Sequence, residues 1–242
     1  MNTIKAYYLY PDIQCLTAKI INIYGEYIEL DSTIAFPEGG GQEGDHGEMC
    51  LKNDPSIKIN FIDTQLIETS KINNINYPDC KIGGKIIHKI FSEDLYLLNK
   101  FTTGDEVIIT INTDRRNLLT QSHSATHVMY MAIDLLKSDI VTHILGCHIK
   151  PQGGRLDFLT DYRFSQEEIK IIEEKANSII LDNIPTPIEV DPKYPDVRYW
   201  ICGDYKIPCG GTHTKNTGEI PLIKISRKSI GAGKERVLFQ WK

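Results

Sequence analysis

Apolar and polar residues alternate through most of the first 112 residues, which is the period of half-buried strands. "LTAKIINIYGEYIELDSTIAF" alternates on both sides of Gly25, and "IKINFIDTQLIE", "GGKIIHKIF" and "DEVIITIN" repeat the style with turn residues between them. Short strands in that number predict a small closed β-barrel or a sandwich over residues 1–112. The period changes at Thr113. "TDRRNLLTQSHSATHVMYMAIDLLK" sets Leu118, Leu119, Ser122, Ala125, Met129, Ala132, Ile133 and Leu136 at helical spacing, which puts a domain boundary near residue 112.

Beyond that helix, "VTHILGCHIK" and "GRLDFL" read as strands. A second helix is announced by a capping box, Ser165 with Glu168, ahead of the stripe Ile169, Ile172, Ala176, Ile179 and Ile180. "PTPIEV", "VRYWI", "GEIPLIKISR" and "ERVLFQW" return to strand patterning. Two helices with several strands predict a two-layer α+β domain over residues 113–242, so the whole chain is expected to be α+β, a barrel followed by an α+β domain.

Composition narrows the class. With 242 residues and 41% hydrophobic content the chain can bury a substantial core. Its six cysteines include no Cys-x-x-Cys pair, no apolar run approaches the roughly 18 residues of a membrane span, and the first residues lack a signal-peptide pattern. A soluble, reduced, cytoplasmic protein away from membranes is expected. The net charge of −5 argues against a polyanionic partner until it is divided along the chain. Residues 1–112 carry about −7 and residues 113–213 about −3, whereas residues 214–242 carry about +5. Lys215, Lys224, Arg227, Lys228, Lys234 and Arg236 make that tail basic, a pattern that suits phosphate contacts and equally a solvated face.

Two four-residue intervals concentrate metal-ligating side chains. His123 and His127, in "HSATH", leave one face of the predicted helix a turn apart, the geometry that lets two imidazoles reach one ion. Cys209 and His213, in "PCGGTH", lie in a sharply turned loop that can bring a thiolate and an imidazole back to the same point. Imidazoles with a thiolate suit zinc rather than magnesium or calcium. A chain with this much apolar sequence has little need of zinc for folding, which favours a catalytic ion, and His213 could be a fourth ligand or stand behind the ligands. The pair lacks the glutamate of His-Glu-x-x-His peptidases.

A second stretch, "TIAFPEGGGQEGDHG", runs from Thr33 to Gly47. Gly39, Gly40 and Gly41 remove every Cβ, so the backbone there can approach a planar or phosphorylated ligand, and Gln42 follows with an acceptor and donors; a hairpin loop is the alternative. Arg115 and Arg116, at the start of the histidine helix, could meet phosphate or cap a solvated helix end. Cys202 reads as a strand thiol, and His88, His143 and His148 as strand histidines.

These residues together match a known family. "HSATH", "RLDF" (Arg155 to Phe158), "CGGTH" and "NTGEI" (Asn216 to Ile220) resemble the editing domain of alanyl-tRNA synthetase, while "TIAFPEGGGQEGDHG" and "GDEVIITINTDRR" resemble the N-terminal barrel of its free-standing AlaX-type relatives. The resemblance covers nearly the whole chain. It implies a hydrolase acting in trans on Ser-tRNA or Gly-tRNA mischarged onto the alanine tRNA, with zinc held by His123, His127, Cys209 and His213 and with no ATP site. A selective site must spare alanine, and Thr33, where the family pattern also carries threonine, is the candidate for the serine hydroxyl, with Gln42 second. The chain departs from the pattern where Phe36 runs directly into Pro37 without a tyrosine, and where Thr113-Asp114 stands in place of Asp-Trp. Gln152, one residue from a glutamine of the synthetase, is given no role.

Overall fold

The computed structural model describes residues 2–72 and 80–242. Their contacts divide into two compact units. One comprises residues 1–39, 44–116 and 192–197, the other residues 40–43, 117–191 and 198–242.

The first unit is a closed six-stranded barrel. Its strands are β1 (Cys15–Tyr24), β2 (Tyr27–Leu30), β3 (Gly47–Leu51), β4 (Lys58–Ile67), β5 (Lys85–Ile90) and β6 (Glu106–Ile111), paired in the order β6-β1-β2-β5-β4-β3. Closure removes the exposed strand edges that an open sheet would present. The alternation seen in the sequence is the reason these strands close inward: Ile20, Ile28, Leu30, Met49, Ile59, Phe61, Ile90, Val107 and Ile109 fill the interior. The β1–β2 hairpin turns at Gly25, whose positive φ of 61° suits a residue without a Cβ. A short parallel pair outside the barrel joins Ile4–Lys5 to Ser32–Thr33.

The second unit has two layers, as the change of period predicts. Helix α1 (Thr113–Leu136) begins in the barrel unit, where Asn112 Oδ1 accepts from the Arg115 backbone N–H, and continues through the second unit. Strands β7 (Ile144–Lys150) and β8 (Gly153–Leu159), helix α2 (Gln166–Leu181), and strands β9 (Ile188–Val190), β10 (Arg198–Cys202), β11 (Tyr205–Pro208), β12 (Ile223–Ser229) and β13 (Lys234–Trp241) follow. Four of these form an antiparallel sheet in the order β7-β8-β13-β12, and β9-β10-β11 form a separate three-stranded sheet. Both bonds of the capping box at Ser165 and Glu168 are present at the start of α2.

One face of the four-stranded sheet is covered by the two helices. Ala125, Val128, Met129, Ala132 and Ile133 of α1 and Ile169, Ile172, Ala176 and Ile180 of α2 share a core with Leu156, Phe158, Ile223, Ile225, Val237 and Phe239. Leu118, expected in the helical stripe, is instead 39% exposed while Leu119 is fully buried. Adjacent helical positions point about 100° apart, and here Leu119 takes the buried side while Leu118 turns outward.

Candidate metal centre

Four side chains converge in the second unit. His123 and His127 stand one turn apart on α1 with ring centroids 5.0 Å from each other, and His213 lies 4.5 Å from the first ring and 5.1 Å from the second. Cys209 Sγ is 3.2 Å from His123 Nε2, and His127 Nε2 is 3.2 Å from His213 Nε2. One donor atom from each of the four lies within 4.8 Å of all the others.

The local sequence explains the convergence. Cys209 directly follows β11, and its backbone N–H donates to Arg198 O across the sheet. The loop then has to cross over His123: a Cβ on Gly211 would stand 2.0 Å from His123 Cε1, so only glycine fits there. After that crossing, Thr212 meets Thr120 (Oγ1 to Oγ1, 2.8 Å) and the Thr214 N–H donates to Ser124 Oγ at 2.9 Å, which pins the loop onto α1 on both sides of His213. Trp200, fully buried on β10, stacks on His127 at 4.8 Å and 20°.

The glycine run of the first stretch serves the same cluster. Gly40 and Gly41 have φ of 58° and 83°, and a Cβ on Gly41 would be 2.3 Å from Cys147 Sγ. Without those Cβ atoms the backbone lies directly on β7: Ile149 N–H donates to Gly41 O at 2.8 Å and Glu43 N–H to Ile149 O at 3.2 Å, making a parallel bridge between Gln42 and Ile149. Gln42 is thereby buried with Oε1 2.7 Å from His123 Nδ1. A carboxamide oxygen only accepts, so Nδ1 carries the imidazole proton and Nε2 presents its lone pair toward Cys209. Gln42 is fixed in turn by Thr212, whose N–H donates to Oε1 at 3.1 Å and whose hydroxyl accepts from Nε2 at 3.0 Å.

Zinc is the metal these residues were expected to hold, and the donor set fits it. Around a four-coordinate zinc with bonds of about 2.0–2.3 Å, donor atoms stand about 3.3–3.8 Å apart, close to the separations given above. Electrostatics agrees with a site that expects a cation. Burial holds His123 and His213 well below the usual imidazole range and His127 at about 4, so all three rings are neutral ligands near pH 7. Burial also pushes the Cys209 thiol up to about 12, a proton that a bound metal ion displaces. His213 Nδ1 is buried with no hydrogen-bond partner among the described residues, and its Nε2 faces His127 Nε2.

The remaining candidates lie elsewhere. Thr33 is fully buried in the barrel unit, where its Oγ1 is 2.9 Å from His88 Nε2 and accepts from the Ala35 N–H at 3.0 Å. His88 Nδ1 is 3.1 Å from Ile28 O and therefore donates, so Nε2 accepts the Thr33 hydroxyl proton. Arg115 donates to Gly44 O from Nε and from Nη2, at 3.3 and 3.2 Å. Arg116 is buried at 7% exposure and ion-paired with Asp45, with Nη2 also 2.7 Å from Ile34 O, which engages that guanidinium inside its own unit. Gly39 belongs to the barrel unit, next to the segment that joins β7.

In the basic tail, Arg236 pairs with Asp157 (2.6 Å), Lys224 with Glu173 (3.3 Å) and Arg227 with the buried Glu235. Lys234 is exposed. Cys202 is a buried thiol packed with Trp200 and Met131.

Trp200, Gly211, Thr212 and Ser124 were not singled out as functional by their sequence. The last three lie inside the "CGGTH" and "HSATH" motifs, so the motif boundaries were the available signal. Nothing around Trp200 distinguishes it from any buried strand aromatic.

An α+β protein with a three-imidazole, one-thiol cluster at the junction of a helix and a Gly-Gly loop is the class that fold and site define. Residues 197–237, which include Cys209 and His213, match the threonyl and alanyl tRNA synthetase second additional domain. The alanine–tRNA ligase of Saccharolobus islandicus (strain M.14.25 / Kamchatka #1) is 31% identical over 242 residues, covering 92% of this chain and 25% of the ligase. The ligase of Sulfurisphaera tokodaii is 34% identical over 92% of the chain and 24% of its own length, and that of Methanocorpusculum labreanum 29% identical over 98% and 25%. The chain resembles the editing domain of alanyl-tRNA synthetase, as its motifs imply, and spans about a quarter of the length of these relatives.

Proposed function

We propose that the protein is a zinc-dependent trans-editing hydrolase that removes serine or glycine from mischarged alanine tRNA. The observation that carries this reading is the convergence of His123, His127, Cys209 and His213 within 4.8 Å, in a chain similar to alanine–tRNA ligase over 92% of its residues. When bound, zinc would polarise the ester carbonyl, lower the pKa of a water, or hold the substrate's amino group. The chain's own residues do the rest. Gln42 keeps the His123 proton on Nδ1, Trp200 shields one face of His127, and the Gly-Gly turn lets the loop pass close over His123 between the cysteine and the last histidine. Lys234 and Arg236, and Arg115 at the helix start, are the cations for tRNA phosphate.

Selectivity follows from what alanine lacks. A synthetase pocket discriminates by only about a hundredfold against an isostere with an added hydroxyl, and cannot exclude a smaller side chain, so a second hydrolytic site is required. Thr33 is the proposed reader of the serine hydroxyl. Because its own proton is directed at His88, Oγ1 is left to accept from a serine hydroxyl, a bond that alanine cannot make, while release of glycine does not depend on it.

A second reading has its own support. Four protein donors close a tetrahedral site, as in structural zinc, and a non-enzymatic RNA-binding protein would need nothing more. Deacylation of serine-, glycine- and alanine-charged alanine tRNA by the zinc-loaded protein separates the two. Release of serine or glycine with alanine spared supports the hydrolase; retention of all three, with zinc at about one per chain, supports the binding protein.

A further inference from the structure

The four-stranded sheet of the second unit has its helices on one face, and the strand register assigns the side chains of the other. Trp241, Phe239, Val237 and Glu235 of β13 alternate with Gln240, Leu238, Arg236 and Lys234; Val237, Phe239 and Trp241 of the first set pack into the core with α1 and α2, and Glu235 is buried on the same side. Arg155 and Asp157 of β8 pair with Leu238 and Arg236, His148 and Lys150 of β7 pair with Arg155 and Gly153, and Lys228 of β12 pairs with Arg236. All of these therefore share the uncovered face. Arg227, counted with the basic tail, does not: its register partner is Val237, and its guanidinium turns to the buried Glu235.

We propose that this uncovered face is a docking surface for the phosphate backbone of a folded RNA stem. On an acidic chain of net charge −5 it gathers Lys150, Arg155, Lys228, Lys234 and Arg236 from all four strands. Cross-strand neighbours stand about 5 Å apart and alternate residues on a strand about 7 Å apart, so the cations form a grid. Two carboxylates oppose them. Asp157 is shared by Arg155 and by Arg236 at 2.6 Å, and Glu43 meets His148 at 3.2 Å and Lys150 at 4.0 Å. One carboxylate beneath two guanidiniums orients both and leaves a positive excess. Lys228 and Lys234 are exposed and have no carboxylate partner among the described residues.

The shape suits the same ligand. A groove of about 460 Å³ runs along the face beside Lys150, Gln152, Arg155, Arg236 and Gln240. Burial and the neighbouring Arg236 charge both lower the pKa of the Arg155 guanidinium, which stays charged and is one of two cations that share Asp157. Among the described residues this face exposes no Phe, Tyr or Trp on which unstacked bases could lie, since Phe239 beside the groove is buried, which favours a duplex backbone over a single strand. Leu159 and Leu238 are its large apolar side chains, which disfavours insertion into lipid.

The choice of an RNA stem rests on the proposed function; the anionic character of the ligand does not. The test uses the 242-residue chain and an RNA hairpin of about twelve base pairs carrying no amino acid, titrated by fluorescence anisotropy over a range of KCl concentrations. Lys228→Glu/Lys234→Glu is compared with Lys170→Glu/Lys175→Glu, an equal change of charge on the exposed side of α2. The first pair is expected to weaken binding at least about tenfold at low salt and to flatten the logarithmic salt dependence by about two units, the control less than about twofold. Equal weakening by both pairs, or by neither, overturns the face. Tighter binding of a single strand of equal length overturns the stem, and face-dependent binding to phosphatidylserine vesicles as strong as to RNA overturns the commitment to nucleic acid. Face-dependent binding without deacylation would leave the face standing and remove the hydrolase. Deacylation whose KM ignores Lys228 and Lys234 would do the reverse.

Discussion

Gln42 Oε1 lies 2.7 Å from His123 Nδ1, across 81 positions of sequence, and this contact sets which nitrogen of the imidazole carries the proton. Groups that orient a metal ligand in this way typically contribute ten- to a hundredfold to metal affinity. Gln42→Leu keeps the volume and removes the acceptor, so zinc affinity measured by competition with a chelator should fall by about that factor. An unchanged affinity would mean that packing alone orients His123.

Gly211→Ala tests the crossing of the loop over His123. The added Cβ would stand 2.0 Å from Cε1 and 2.3 Å from Nδ1, so either the loop or the ring must move. Stability should drop by about 1–3 kcal/mol in thermal or urea unfolding, as in other overpacked sites, and zinc content should fall with it. Gly146→Ala, with open space around the new atom and no positive φ, should change neither.

Cys209 and Cys202 stand seven residues apart and have different surroundings. Cys209→Ala should lower zinc stoichiometry in elemental analysis of protein produced with zinc supplied. Cys202→Ala should leave it near one per chain and cost only packing, since its thiol lies in an apolar cluster with Trp200 and Met131. Equal zinc loss in both variants would point to general unfolding of the unit.

Burial holds His88 at about 4, below its unperturbed 6.5. Between those values the unfolded chain binds a proton that the folded one does not, so stability rises with pH across that window. The contribution is complete above about 6.5 and gone at about 4, and amounts to on the order of 3 kcal/mol. Unfolding free energy of wild type and His88→Phe, followed from pH 4 to 7, should show a steeper rise for wild type by up to one proton. Parallel curves would place the titration elsewhere.

Thr33→Val removes the hydroxyl that bonds His88 and Ala35 and that is proposed to accept from serine. Release of serine from charged tRNA should fall about ten- to a hundredfold, with recovery in Thr33→Ser, and release of glycine should fall much less. Equal losses for both amino acids would make Thr33 a support of the barrel unit rather than a reader of the substrate.

The barrel strands and both long helices were legible because each keeps one period and buries one face. Of the barrel strands β3 was not, since Met49-Cys50-Leu51 runs without a polar break, and Ile4–Lys5, two residues long, completes too little of a period to be seen, whereas its partner Ser32–Thr33 lies within a stretch read as strand. Strand β11 escaped for a related reason: Tyr205–Pro208 alternates without a fully buried position. At the site, the four-residue spacings identified all four converging donors. The service of Gln42 to His123 was not visible, because it depends on the register of Gly40–Glu43 against β7, which no local pattern encodes. The basic tail was overcounted for a similar reason. Charges tallied along the chain ignore Glu173 and Glu235, which pair with Lys224 and Arg227 from neighbouring elements, and Asp157, which Arg236 shares with Arg155.

The four residues Gly40–Glu43 belong to the second unit although barrel sequence flanks them on both sides, and Pro192–Val197 make the opposite exchange. Each unit therefore owns a piece of chain that the other's sequence surrounds. A fragment starting at Asn117 would retain every proposed zinc donor and still lack the group that holds the His123 proton on Nδ1. It would also lack the backbone that pairs with Ile149. The two units can be told apart in space, but no single cut in the chain separates them intact.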